Sequence, residues 1–393
     1  LKRKRSPEAR SAINATGVLL HTNLGRAPIA GYAIDMLAST AGYGVVQIKL
    51  EDNSRSKRDE EISSLLSVLT GCESATVVNN NAAATFMLLN SLAAGAEVII
   101  SRGQLVEIGG SFRMTDVMDQ SGALLKEVGT TNRTHLYDYE RAISENTGAL
   151  IYVEPSNYEV IGFSCFPSLA ELCELGKKHN IPVIADLGSG ALVPTEKYGI
   201  KHSLTIAEAL SAGAAITCSS GDKLIGGPQA GIICGSAELV ARVRKSPFAR
   251  MFRVDKLTLT GIESTLQEFV NGSFEKTIPF YQMLSVSVDD LEIRAKQLSD
   301  ALIQNGLQVK IESTNAFVGG GTLPAERIAS FAVVLESKVV KVESLARALR
   351  LNIPPIFCRI ENNALYFDMR TLLKGHLELL IEHIPLVCQG IEK

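Results

Sequence analysis

Up to about residue 270 the chain alternates between two hydrophobic patterns. Short aliphatic runs at 75–78, 97–101, 149–153, 182–186, 214–218 and 231–234 predict strands. Between several of them the apolar residues return at helical spacing. Ile62, Leu65, Leu66 and Leu69 do so ahead of Gly71, a helix stop, and the stretch 167–179 does so again. Strands that alternate with helices predict an α/β fold on a mainly parallel central sheet. The ligand crevice of such a sheet lies at the carboxyl ends of its strands. Beyond residue 270 the pattern changes. A helix at 286–305, strands at 309–311, 330–335, 356–360 and 364–368, and helices at 342–349 and 372–383 predict a smaller C-terminal α+β domain. Glu361-Asn362-Asn363 joins the last two strands as a hairpin-like turn. The expected division is a charged linker at 1–12, a large domain at 13–270 and a small domain at 271–393.

Three features fall at the expected strand ends. Lys223 sits between the apolar run 214–218 and a glycine-rich turn containing Gly226 and Gly227. A lysine buried there carries a large desolvation cost as a cation, so its pKa falls and its amine becomes nucleophilic. That suits a Schiff base with pyridoxal 5'-phosphate, with Ser219 and Ser220 offering hydroxyls to a phosphate. The blander reading is a surface lysine in a polar turn. Asn79-Asn80-Asn81 follows another strand and opens a helix, where free N–H groups and the helix dipole favour an anion. An ordinary asparagine N-cap is equally compatible. Asp186 ends the run 182–186, where a carboxylate can keep a pyridine nitrogen protonated or simply cap a helix. Together the three are more specific than any one of them.

Charge and cysteine usage narrow the class. The 393 residues carry a formal net charge of −3, so there is no global electrostatic case for binding nucleic acid, and any such binding is local. Lys2-Arg3-Lys4-Arg5 is basic, but no apolar segment follows as in a signal peptide. No apolar run is long enough to span a membrane. The seven cysteines are scattered without a C-x-x-C pair, which predicts reduced thiols in the cytoplasm and no metal site. Arg26 lies in a turn-rich stretch after His21, and Arg55, Lys57 and Arg58 lie in a polar loop. Arg250 and Arg253 are three apart, as on one solvated helix face.

The blocks INATGVLLHTNLGRAP, VVNNNAAA, VEIGGSFR, EVGTTNRTHL, DLGSG, SGDKLIGGPQAG and RIENNALYFDMRT run from Ile13 towards the last helix. In them the chain resembles the bacterial selenocysteine synthases, the L-seryl-tRNA(Sec) selenium transferases. The resemblance implies a fold-type-I pyridoxal-phosphate transferase. Its reaction would convert L-seryl-tRNA(Sec) to selenocysteinyl-tRNA(Sec) with selenophosphate, through a dehydroalanyl-tRNA. It also implies a cytoplasmic homo-oligomer, with dimers assembled into a larger ring. By position, Lys223 matches the cofactor lysine, Asp186 the pyridine-nitrogen aspartate, and Asn80 and Asn81 the phosphate-side turn, with Ser220 beside it. Arg26, Arg250 and Arg253 match arginines that hold the donor's anion, while Arg58, Thr130, Thr131, Tyr158 and Asp222 match positions around the active site at a subunit interface.

The chain departs from the family in three places. These are Arg55-Ser56-Lys57-Arg58 in the interface loop, Gln104 where glutamate is usual, and the segment 43–50. The match also starts without the family's small N-terminal tRNA-gripping domain, so the expectation is an intact cofactor site with weak tRNA binding. The alternative is a related pyridoxal-phosphate lyase acting on a small amino acid or amino-sugar phosphate. The mild charge favours it, while Arg250-x-x-Arg253 and the GGSFR and GTTNRT blocks disfavour it. A non-enzymatic scaffold on the same fold is disfavoured by Lys223 and Asp186 together.

Overall fold

The computed structural model describes residues 10–108, 112–319, 322–336 and 340–391. Lys2-Arg3-Lys4-Arg5, and Gly109, Gly110 and Ser111 of the VEIGGSFR block, lie outside the described residues. In chain order the strands are β1 (Ile13–Ala15), β2 (Ser74–Val78), β3 (Glu97–Ser101), β4 (Glu107–Ile108), β5 (Phe112–Arg113), β6 (Leu124–Val128) and β7 (Thr147–Val153). They continue as β8 (Val183–Gly188), β9 (Ile216–Ser220), β10 (Gly231–Gly235), β11 (Val309–Gly319), β12 (Thr322–Glu336), β13 (Ile356–Glu361) and β14 (Ala364–Asp368).

The larger unit comprises residues 27–279 and 320–324. Its seven-stranded sheet has the order β2-β10-β9-β8-β7-β3-β6. The pairs from β9 to β6 are parallel, and β10 runs antiparallel to both β2 and β9. The central strands are buried along nearly their whole length, as strands covered on both faces must be. Met87, Leu88 and Ala84 of the helix Asn81–Ala93 pack with Ile100, Ile151, Ile184 and Ile233 of the sheet in one core. The helix Leu169–His179 begins at a Ser168–Glu171 capping box and ends at Asn180 in the left-handed region.

The smaller unit comprises residues 1–26, 280–319 and 325–393, on a five-stranded sheet of order β1-β13-β14-β12-β11. The expected boundaries need correction at both ends. Ile13–Ala15 pairs in parallel with Ile356–Cys358, and Ile13 N–H donates to the Pro355 carbonyl at 2.8 Å. Ile13 and Ala15 are buried with Leu298, Val333 and Phe367 in this unit's core. A three-residue strand carries no pattern long enough to reveal its sheet. The stretch 271–279 stays with the larger unit, where Glu275 bonds Tyr198 Oη at 2.7 Å and Lys197 Nζ at 2.8 Å. The last helix is His376–Ile391, later than 372–383. It runs through Pro385, which reads in sequence as a breaker.

Candidate active site

Strand β9 ends at Ser220, so Ser219 and Ser220 are the last residues of a strand and not part of the turn beyond it. Their register against Ile232 and Gly231 of β10 extends the pairing to the end. The chain then turns back at once. Gly221 N–H donates to Ala230 O at 2.8 Å, Gly227 N–H to Gly221 O at 2.9 Å, and Gly226, at φ +75°, donates to Lys223 O at 3.0 Å. This compact turn buries Asp222 and Lys223, which are 5% and 6% exposed. The surface-lysine reading is therefore excluded. Lys223 Nζ lies 3.3 Å from the Gly188 carbonyl, and Leu224 N–H donates to Ser189 O at 3.1 Å. The lysine is thus fastened to the carboxyl end of the neighbouring strand β8.

Asp186 is near that same end and is buried. Its Oδ1 accepts from Asn81 Nδ2 at 2.9 Å and from Gly188 N–H at 3.1 Å. Its Oδ2 accepts from Thr85 Oγ1 at 2.8 Å. A buried carboxylate needs such donors, and three of them fix its orientation. The neighbouring Cys218 thiol lies 3.6 Å from Thr85 Oγ1, and burial and then the Asp186 charge push its pKa well up, so it stays protonated. Asn80 is the N-cap of the helix Asn81–Ala93, its side chain accepting from Ala83 N–H at 2.8 Å. The pair expected at a phosphate turn thus divides its work: Asn80 caps, and the Asn81 amide holds Asp186.

The arginines do not share one helix face. Arg250 is in the short helix Phe248–Met251, while Arg253 is extended and bridges Val78, with Asn79 N–H donating to Phe252 O at 3.0 Å. Phe248 and Phe252 meet Phe86 edge-on, at ring separations of 4.9 and 5.7 Å, and anchor this segment to the helix after β2. Arg58 approaches from the turn before the helix Glu60–Thr70. Burial and the charges of Arg253 and Arg250 hold its pKa below the usual arginine range, opposed by Asp255 and Asp59. Its Nε is buried with no hydrogen-bond partner among the described residues. Arg58 thus feels the like charges of Arg253 and Arg250 while one of its own donors is unmet, and guanidiniums pair well with tetrahedral anions.

Thr131 and Tyr158 meet at Gly103. Tyr158 Oη donates to the Gly103 carbonyl, and a Cβ at Gly103 would lie 2.6 Å from Thr131 O. Thr130 is exposed and closes a turn, its Oγ1 donating to Arg133 O at 2.8 Å. Gln104 is buried, and its Oε1 accepts from Val153 N–H at 3.3 Å. Arg26 belongs to the smaller unit. It stands in the left-handed region at φ +62°, and its N–H donates to His21 O at 3.1 Å.

A model of the L-seryl-tRNA selenium transferase family matches residues 12–373. The chain belongs to that family. It is 43% identical over 385 residues to the L-seryl-tRNA(Sec) selenium transferase of Carboxydothermus hydrogenoformans, covering 96% of this chain and 83% of that protein. It is 44% identical over 383 residues to the protein of the same name from Aquifex aeolicus, covering 97% and 84%. Among solved structures, a D-glucosaminate-6-phosphate ammonia-lyase shares the fold, with a TM-score of 0.69, 18% identity, and 98% and 97% coverage. The architecture is the fold-type-I α/β class expected for a selenium transferase of this family. The family match rests on sequence along most of the chain, whereas the lyase is a likeness of fold alone.

The residues present fit a pyridoxal phosphate group. Asp186 presents an oriented buried carboxylate, and Lys223 a buried amine at the adjoining strand end. Ser219 Oγ and Asn81 Oδ1 are buried without a partner among the described residues, capacity that a bound polar group would use. Thr85 was not among the expected site residues. It follows Asn81 by four positions, hence on the same helix face, and that spacing was the available signal. Among the described residues no helix is long and apolar enough to cross a membrane.

Proposed function

We propose that this chain converts the seryl group of L-seryl-tRNA(Sec) to a selenocysteinyl group, with pyridoxal 5'-phosphate as cofactor and selenophosphate as donor. The observation that carries the reading is the buried Lys223 beside Asp186, whose oxygens are held by Asn81, Thr85 and Gly188. When bound, the pyridoxal group supplies an electron sink for the charge left on the serine α-carbon. Asp186, held by Asn81, Thr85 and Gly188, would stabilise the positive charge that such a ring needs at its nitrogen. Lys223 Nζ, shielded from water, takes the α-proton as general base. The β-hydroxyl departs as water, selenium of selenophosphate bonds to the β-carbon while Lys223 returns a proton to the α-carbon, and water cleaves the phosphorus–selenium bond to release phosphate. Arg58, Arg250 and Arg253 bind the donor's tetrahedral anion. Thr130, Thr131, Tyr158 and Asp222 line the approach of the seryl end.

The protein acts in the cytoplasm as a homo-oligomer, dimers forming a larger ring. Tyr43, Val45, Ile48 and Leu50, each more than half exposed, fit burial against a second copy. The test is turnover of seryl-tRNA(Sec) with selenophosphate, run beside visible absorption of the purified protein. Lys223→Ala is expected to abolish both turnover and the borohydride-fixed covalent adduct of the cofactor. An adduct that persists in Lys223→Ala would sink the assignment of that lysine. Parent protein that turns over small amino acids but not seryl-tRNA(Sec) would favour the lyase reading.

A further inference from the structure

Arg58, Arg250 and Arg253 carry like charges, so their own interactions push them apart. Their backbone segments come from different parts of the chain, yet both meet at one ion pair. Asp59 follows Arg58 directly and stands at the N-cap of the helix Glu60–Thr70, but its side chain does not cap. Its Oδ2 instead accepts from Thr76 Oγ1 at 2.6 Å and from Arg244 Nη2 and Nε at 2.9 and 3.3 Å. Arg244 lies in the last turn of the helix Ala237–Lys245, just ahead of the segment that carries Arg250 and Arg253. Its other contacts grip β2, with Nη1 to Ser74 Oγ at 3.2 Å and Nη2 to Ala75 O at 2.6 Å. The side chains of Arg244 and Asp59 are only 22% and 14% exposed, so water and salt screen the pair weakly. The segment is held to β2 a second time further on, at Val78 and Asn79.

We propose that Arg244 and Asp59 are positioning residues that hold Arg58, Arg250 and Arg253 together as one receptor for the donor anion. The proposal rests on reading those three arginines as the anion site. Neither Arg244 nor Asp59 touches the anion. The planar guanidinium reaches Asp59, Ser74 and Ala75 at once, a span that a lysine ammonium cannot reproduce.

Asp59→Asn separates positioning from simple charge. Removing a nearby negative charge should by itself tighten anion binding. A lost positioning contact weakens it. The measurement is binding of inorganic phosphate to the full-length, cofactor-loaded protein, together with KM values for selenophosphate and seryl-tRNA(Sec). Asp59→Asn, Arg244→Lys and Arg244→Ala are each expected to weaken phosphate binding about tenfold, the scale of lost supporting contacts around a ligand site. Each should raise the selenophosphate KM while the seryl-tRNA KM and the cofactor's visible absorption hold. Tighter or unchanged phosphate binding in Asp59→Asn overturns the proposal, as does parent-like binding in Arg244→Lys. If Arg244→Ala fails to fold, the other two variants decide. Arg253→Ala is the control for the underlying reading. If it too binds phosphate as the parent does, the anion site itself is wrong. If it alone weakens binding, the anion site stands and the positioning role falls.

Discussion

At the residue scale, Asp186 shows what local pattern reveals and what it hides. Its place at the end of an apolar run marks it for a strand-end crevice, and Lys223 is marked in the same way by the glycines after it. The partners that make Asp186 usable are legible only in part. Asn81 stood out because it opens a helix, but its amide turns to the carboxylate and not outward. Thr85 was hidden because a threonine inside a helix commonly bonds back to its own backbone. It does lie 3.0 Å from Asn81 O, but with one proton to give, the Asp186 carboxylate at 2.8 Å is the stronger acceptor. Thr85→Val keeps the shape and removes the donor. It is expected to destabilise the protein by about 1.5–3 kcal/mol, the range for a hydrogen bond to a charged group. It should also weaken cofactor binding. Denaturant unfolding and cofactor titration check both, and parent-like values would mean that Thr85 is only packing.

At the element scale, β10 sets the geometry. Running antiparallel between β2 and β9, it starts beside both the asparagine turn that follows β2 and the lysine turn that follows β9, and runs away from them. Gly231 begins it, and a Cβ there would sit 2.2 Å from the Asn80 carbonyl oxygen, a backbone atom that cannot swing aside. Gly235 at the other end is equally crowded, with a Cβ 2.6 Å from Ala215 O, but is remote from the turn. Gly231→Ala and Gly235→Ala are both expected to lower stability by about 1–3 kcal/mol or more, as overpacking does. Only Gly231→Ala should weaken cofactor binding. Equal cofactor affinity in the two variants would detach Gly231 from the site. The run 231–234 was legible as a strand, but its direction was not, since periodicity is the same in either sense. The arginine cluster was hidden for a related reason. Arg58 meets Arg253 only through tertiary contact, and the spacing of Arg250 and Arg253 pointed to a helix that ends before Arg253.

At the scale of the whole molecule, alternating strands and helices foretold the larger sheet, because it is a sum of many local patterns. The N-terminal strand was misassigned because its allegiance depends on residues at the far end of the chain. That pairing also bears on how the protein is made. A ribosome delivers Ile13–Ala15 long before Ile356–Glu361, and closing so long a loop early has nothing to compensate its entropy. Nearly all of the larger unit, 27–279, has by then been synthesised. Nascent chains stalled soon after residue 279 has cleared the exit tunnel are expected to resist protease within 27–279 while still being cut near Ile13. That cleavage should cease only once Ile356–Glu361 has emerged. Protection of Ile13 at the earlier stall would mean that the first strand finds another partner while it waits. On this order of events β1 is seated only when its much later partner β13 arrives, however early it was made.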